Sequence, residues 1–241
     1  MDFLDLHSHI LPGIDDGSQS HEATLAMLRG LIDLGFSEVC ATPHQKAGQF
    51  LPSAQEIEAA FAKANEIVSE NDLPVSLHLA AENMWDSVFH QRFTEDTIPS
   101  YDQGPAILIE IPPNEIPLNM VDRVFELRRK GRLPVLAHPE RYTELWDNAE
   151  LLAQVAAQCA MVIDLGAVAG FHGRKQAKFA RRWILDGTAH AVASDAHSPE
   201  DIRAAAAGIA WIRKKGGDTQ VKKLLSENPR KIIKGLHPAE C

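Results

Sequence analysis

Short apolar runs recur along the chain, and many of them close on an imidazole or a carboxylate. Leu4-Asp5-Leu6 leads into His7-Ser8-His9, Ala41-Thr42-Pro43 into His44, Ile107-Leu108-Ile109 into Glu110, Val135-Leu136-Ala137 into His138, and Val192-Ala193-Ser194 into Asp195-Ala196-His197. Runs of this kind, rich in aliphatic residues and bounded by polar or turn residues, predict buried strands. Seven are expected, over residues 3–6, 38–41, 76–81, 106–111, 134–137, 161–165 and 190–193.

The segments between them carry a helical period. Leu25, Leu28, Leu31 and Ile32 share one face of a helix over 21–34 that Gly35 closes, and Ser53-x-x-Glu56 is a capping box at the start of a helix over 53–70. Further helices are predicted over 118–129, 149–159, 176–185, 199–214, 220–226 and 230–234. Strand and helix alternate throughout, which predicts an α/β fold with a mainly parallel sheet. Since the chemistry sits at strand ends and the helices carry none, the fitting arrangement is a barrel whose site lies at the carboxyl ends of its strands. A doubly wound open sheet would instead gather ligands at one switch point behind a glycine-rich first turn. Here at least six strand ends contribute, and the first loop is Leu11-Pro12-Gly13-Ile14-Asp15-Asp16-Gly17. Pro112-Pro113 breaks the chain after the fourth strand without separating domains, so residues 1–241 are expected to form one domain.

Residues i and i+2 of a strand point to the same side, so His7 and His9 can share one ion, and Asp195 and His197 repeat that spacing at the last strand. Taken alone, an HxH pair is equally well read as two hydrogen-bonded histidines. Two such pairs at opposite ends of the chain meet only if the sheet closes. Asp15-Asp16-Gly17 reads as a turn, yet Asp16 can also reach back toward His9 as a ligand. Glu82 and Glu110 each follow an apolar run, where a carboxylate is costly unless it is paired or bound to metal. His21, His78, His90, His190 and His237 fall on presumed helices, tails or strand starts, where solvent or core roles are expected. His172, after the sixth strand, is a candidate for lining the site.

Composition narrows the function classes. Hydrophobic residues at 45% and charged residues at 24% describe an ordinary soluble globular protein long enough, at 241 residues, to bury a sizeable core. A net charge of -9 argues against a broad polyanion-binding face, so nucleic acid is not an expected partner. Cys40, Cys159 and Cys241 form no CxxC pair and leave an odd count, which suits a reducing compartment. The chain carries neither a signal-peptide pattern at its start nor an 18-residue apolar span, and it is expected to be cytoplasmic, without membrane insertion.

The motifs LHSHILPGIDDG, ATPH, AAEN, IEIP, AHPERY and ASDAH resemble those of the polymerase-and-histidinol-phosphatase (PHP) superfamily, specifically its bacterial protein-tyrosine phosphatase branch of capsule and exopolysaccharide synthesis. The resemblance runs from residue 2 to about residue 234 and implies a distorted TIM-like (β/α)7 barrel holding three divalent ions, manganese or iron with zinc open. It places metal ligands at His7, His9, Asp16, His44, Glu82, Glu110, His138, Asp195 and His197. It further implies that Arg141 binds substrate phosphate, with Arg203 as a stand-in for a second arginine in a stretch that departs from the usual sequence. The implied activity is hydrolysis of a phosphomonoester by a metal-activated water. The implied substrate is a phosphotyrosine protein, the tail of a bacterial tyrosine kinase.

A cysteine-based mechanism is not expected, because six positions after Cys40 and Cys159 stand Lys46 and Leu165 rather than arginine. Loops over 45–52 and 83–101 are expected to shape the mouth, with Phe50, Trp85, Phe89 and Phe93 as candidates for stacking on a tyrosyl ring. Three other readings stay open. A histidinol-phosphate phosphatase or other small-molecule phosphoesterase would use the same scaffold. An amidohydrolase commonly places a carboxylated lysine where this chain has Glu110. A metal-containing regulatory barrel would bind a phosphorylated partner without turnover.

Overall fold

A computed structural model describes residues 2–112 and 116–240; Pro113 and Cys241 lie outside the described residues. The strands are β1 (Phe3–Ser8), β2 (Phe36–Ala41), β3 (His44–Gln45), β4 (Ser76–Leu79), β5 (Glu82–Met84), β6 (Ala106–Glu110), β7 (Leu133–Ala137), β8 (Ala160–Asp164) and β9 (Ala191–Ala193). The α-helices are α1 (His21–Leu34), α2 (Ala54–Glu70), α3 (Ser87–Glu95), α4 (Met120–Arg129), α5 (Glu144–Asp147), α6 (Ala149–Gln158), α7 (Leu165–Ala169), α8 (Arg174–Asp186), α9 (Pro199–Lys222) and α10 (Asn228–Ile233).

The seven expected strands are present, and two further short ones extend the second and third staves. β3 follows β2 after Thr42-Pro43, where proline has no N–H to give a ladder, and β5 follows β4 after Ala80-Ala81, the expected end of the strand over 76–81. Hydrogen bonding carries on across both breaks, from Ala80 N to Ala41 O at 2.9 Å and from Glu82 N to Pro43 O at 3.1 Å. The ladders β1-β2-β4 and β3-β5-β6-β7-β8-β9 are parallel throughout, so the staves follow chain order around a mixed α/β barrel. A parallel bridge between Ser8 and Ala196 joins the last stave to the first, through Asp195 N to His7 O and His9 N to Ala196 O, each 2.9 Å. The ring therefore meets at its carboxyl end, where the candidate ligands lie.

Alternation along the strands sorts the core into two sets. Leu4, Leu6, Cys40, Leu108, Val135, Val162, Ala191 and Ala193 cluster with Tyr101 and Ile232 inside the ring, while Val39, Ile107, Leu136, Met161, Ile163 and Val192 pack outward against the helices. The helices are closed by local chemistry. Ser20 accepts from Ala23 N at 3.2 Å to start α1, Gly35 ends it in the left-handed region at φ 102°, and the capping box at Ser53 and Glu56 forms at α2. The break expected near residues 215–219 is present as a kink at Gly217 inside α9.

Residues 83–101, expected as a mouth loop, contain the helix α3, started by Asp86 accepting from Val88 N and Phe89 N at 2.8 and 3.0 Å. Trp85, Phe89 and Phe93 are consequently buried in the core and are not available to stack on substrate. Among the described residues, no helix is long and apolar enough to cross a membrane.

Candidate metal centre

All nine sequence-predicted ligands converge on the carboxyl end of the barrel. His7 and His9 leave β1, His44 stands in β3, Glu82 in β5, Glu110 ends β6, His138 follows β7, Asp195 and His197 follow β9, and Asp16 comes from the loop after β1. His138 and Asp195 sit in the left-handed region, at φ 34° and 47°, where the chain turns sharply out of its strand. The ligand atoms form four overlapping groups: His9, Asp16, His44, His197; His7, His9, Asp195; His7, Glu82, His138; and His44, Glu82, Glu110. Glu82 belongs to two groups and lies at the hub, with Oε1 2.8 Å from His138 Nε2 and Oε2 3.3 Å from His7 Nε2 and 2.9 Å from His44 Nδ1.

The separations suit divalent cations. Bonds near 2.1 Å hold neighbouring ligand atoms about 3.0–3.4 Å apart. His7 Nε2 lies 3.1 Å from His9 Nε2 and 3.3 Å from Asp195 Oδ1, and His44 Nε2 lies 3.3 Å from Asp16 Oδ1. Two buried atoms at the centre, His44 Nδ1 and Glu110 Oε2, have no hydrogen-bond partner among the described residues. For His44 Nδ1 the Glu82 oxygen is close enough for an ion pair but off the hydrogen-bond direction. Mixed imidazole and carboxylate donors favour manganese, iron or zinc over thiolate-preferring metals.

The electrostatics of the protein groups alone are strained. Burial pushes the Glu110 carboxyl up to about 7, helped by the charge of Glu82. Burial also acts to raise Glu82 and Asp195, yet facing histidines, with Arg141 beside Asp195, hold both well below the usual carboxylate range. Ionised carboxylates are thus crowded into a dry site, an arrangement that bound cations relieve.

Behind the ligands stands Asp15, which the sequence had offered only as part of a turn. Its Oδ2 lies 2.8 Å from His9 Nδ1 and accepts from His44 N at 3.0 Å, while Oδ1 accepts from Gly17 N at 3.0 Å. That contact fixes the His9 ring with Nε2 toward the cluster, the usual service of a carboxylate behind a ligating histidine. Burial opposes ionisation of Asp15, but His9 prevails and holds it at about 2. Gly17 permits the turn, because a Cβ there would meet His9 O at 2.2 Å.

Beside the cluster lies a cavity of 580 Å³ lined by Arg141, Thr143, Asp164, Phe171, His172 and His197, among others. Arg141 Nη2 donates to Asp164 Oδ2 at 2.7 Å and Asp195 Oδ2 at 2.5 Å, whereas Nε and Nη1 make no hydrogen bond among the described residues. Asp164 had a sequence signal that went unused: it closes the apolar run Met161-Val162-Ile163 as Glu110 closes its own. His172 does line the cavity, and so does Phe171, 68% exposed, an aromatic that the sequence reading had passed over. Phe50 stacks on His44 with ring centroids 5.8 Å apart.

Arg203 is not brought to the site. Asp201 and Ala204 of α9 face the cavity, while Arg203 lies on the opposite side of that helix, exposed in a depression with Ala26, Gly30 and Asp33 of α1. The helical period separates positions 201 and 203 by about 200°. Away from the mouth, His78 contacts Glu38 and Asp102, and His190 and His237 are buried against each other.

Known proteins share this frame. YwqE of Bacillus subtilis, a tyrosine-protein phosphatase, is 27% identical over 232 residues, covering 96% of this chain and 91% of its own. CpsB of Streptococcus pneumoniae, also a tyrosine-protein phosphatase, is 29% identical over 238 residues, covering 95% and 98%. A crystal structure from work on YwqE and CpsB, described there as unique metal-dependent tyrosine phosphatases, superposes with a TM-score of 0.87 at 28% identity, over 98% of this chain and 95% of that one. The sequence profile for capsular polysaccharide synthesis, CpsB/CapC, matches residues 3–234, and the chain belongs to that family.

Proposed function

We propose that this protein is a metal-dependent protein-tyrosine phosphatase that acts in the control of capsule or exopolysaccharide synthesis. The observation that carries the proposal is the cavity in which Arg141 stands directly beside four overlapping cation-ligand groups. His7, His9, Asp16, His44, Glu82, Glu110, His138, Asp195 and His197 would hold the cations; three of them, manganese or iron ahead of zinc, is the number and kind that the sequence resemblance implies. When bound, such cations polarise phosphoryl oxygens and lower the pKa of water, supplying the attacking oxygen at neutral pH.

The protein's own groups do the rest. Arg141, anchored through Nη2 by two carboxylates, turns its remaining N–H groups to the phosphate and spreads its charge over the equatorial oxygens. Phe171 at the rim offers an apolar face to an aryl group. Neither Cys40 nor Cys159 takes part as a thiolate: both are buried, and burial pushes Cys40 well up and Cys159 to about 12. The substrate is a phosphotyrosine protein, a reading supported by the names of YwqE and CpsB; that it is the tail of a bacterial tyrosine kinase, met in the cytoplasm, follows from the sequence resemblance alone.

Metal-stripped protein resupplied with manganese, iron or zinc tests the proposal by phosphate release from a phosphotyrosine peptide and from histidinol phosphate in parallel. Metal-dependent release that favours the peptide is expected. Preference for histidinol phosphate would replace the substrate, and no release from either would leave a regulatory binding barrel as the better account.

A further inference from the structure

One titratable group in the cavity has no part in the chemistry described so far. His172 lies between Gly170 and Gly173, on the loop from α7 to α8, and its Nε2 is 2.6 Å from Asp164 Oδ2. Nδ1 makes no hydrogen bond among the described residues, and the side chain is 41% exposed. The fit between ring and carboxylate is built into the backbone: a Cβ at Gly166 would stand 3.0 Å from His172 Nε2 and 3.1 Å from Asp164 Oδ1. Gly170 and Gly173, at φ 99° and 112°, turn the loop that carries the ring.

We propose that His172 is the general acid that protonates the tyrosyl oxygen as it leaves phosphorus, a role that rests on the phosphatase reading above. Oxygen from water forms the new bond to phosphorus, the aryl P–O bond breaks, and its electron pair stays on the tyrosyl oxygen. The proton on Nδ1 moves to that oxygen. His172 then regains a proton from solvent, which balances the one released by the attacking water. Such help matters because tyrosine's hydroxyl has a pKa of about 10 and is a poor leaving group as its anion at neutral pH.

The groups that face His172 suit the role. The hydrogen bond that His172 gives to Asp164 of β8 raises its pKa above the ordinary histidine value, with burial and Arg141 opposing and Asp195 assisting. Asp201 and Gln176 bring α9 and α8 to the same cavity. Asp164 is held ionised, and a guanidinium gives up no proton near neutrality, so neither Asp164 nor Arg141 can donate one.

The test compares metal-loaded wild type with His172→Gln on a phosphotyrosine peptide and on p-nitrophenyl phosphate, whose phenol is far more acidic. For the variant, kcat on the peptide should fall about 10²-fold with little change on p-nitrophenyl phosphate, and the alkaline limb of the peptide pH profile should disappear. Gly166→Ala, which crowds the ring, should give a milder loss of the same selectivity. Equal losses on both substrates, or none, would overturn the role for His172 while leaving the phosphatase reading intact. A wild type inactive on both would overturn the phosphatase reading, and the acid with it.

Discussion

Arg141 carries the sharpest prediction for any single side chain. Burial alone would make its charge less favourable, but Asp195 and Asp164 hold it firmly protonated, and both carboxylates lean on the same nitrogen. Lysine offers a point charge and no planar fork, so Arg141→Lys should lower kcat/KM on a phosphotyrosine peptide by about 10²-fold or more. Arg203→Ala, on the far side of α9, should stay within about twofold of wild type; a loss matching that of Arg141→Lys would contradict the placement of Arg203 outside the site. The nine candidate ligands were legible in the sequence because each combines a ligand type with a strand end or the first loop. Asp15 and Asp164 were harder, since their roles depend on where His9, His44 and Arg141 point, which spacing does not give.

Elements transmit that placement. The short helix α7 begins on Asp164, whose Oδ1 accepts from Gly166 N at 2.6 Å, and α7 packs against α9 at Gly208. A Cβ at position 208 would stand 2.4 Å from Leu165 O, so Gly208→Ala should force the two helices apart. A loss on the order of 2–3 kcal/mol is expected, read as a drop in Tm of several degrees, together with weaker phosphate binding as Asp164 shifts under Arg141. An unchanged Tm would show that the contact is slack. The long helices and most strands could be read from apolar period and caps. The helix α3 could not, because only Phe89 and Phe93 of its nine residues are buried, and β3 and β5 could not, because stretches of two and three residues are too short to show a strand period.

For the whole molecule, acid and metal are the two levers on stability. His190 is buried against His237, and its Nδ1 accepts from Met161 N at 2.9 Å, so the neutral ring is the one that fits. Burial, with His237 and Lys223 adding, lowers its pKa to about 4. The folded state therefore binds fewer protons than the unfolded chain between about 4 and 6.5, and stability falls as pH drops through that window. The full effect is about 3 kcal/mol. In metal-stripped protein, where ligand protonation is common to both, His190→Asn should lose less stability than wild type between pH 7 and pH 4.5; equal losses would contradict the assignment.

Bound cations would act in the opposite direction, by uniting candidate ligands drawn from both ends of the chain across the ring from β1 to β9. Binding to the native state alone raises stability in proportion to the logarithm of free metal over its dissociation constant. The most direct measurement titrates manganese, iron or zinc into metal-stripped protein while following Tm and the bound metal by elemental analysis. The account predicts more than one equivalent bound, with Tm rising as the sites fill and falling again on chelation. No bound metal and a Tm indifferent to both metal and chelator would contradict it.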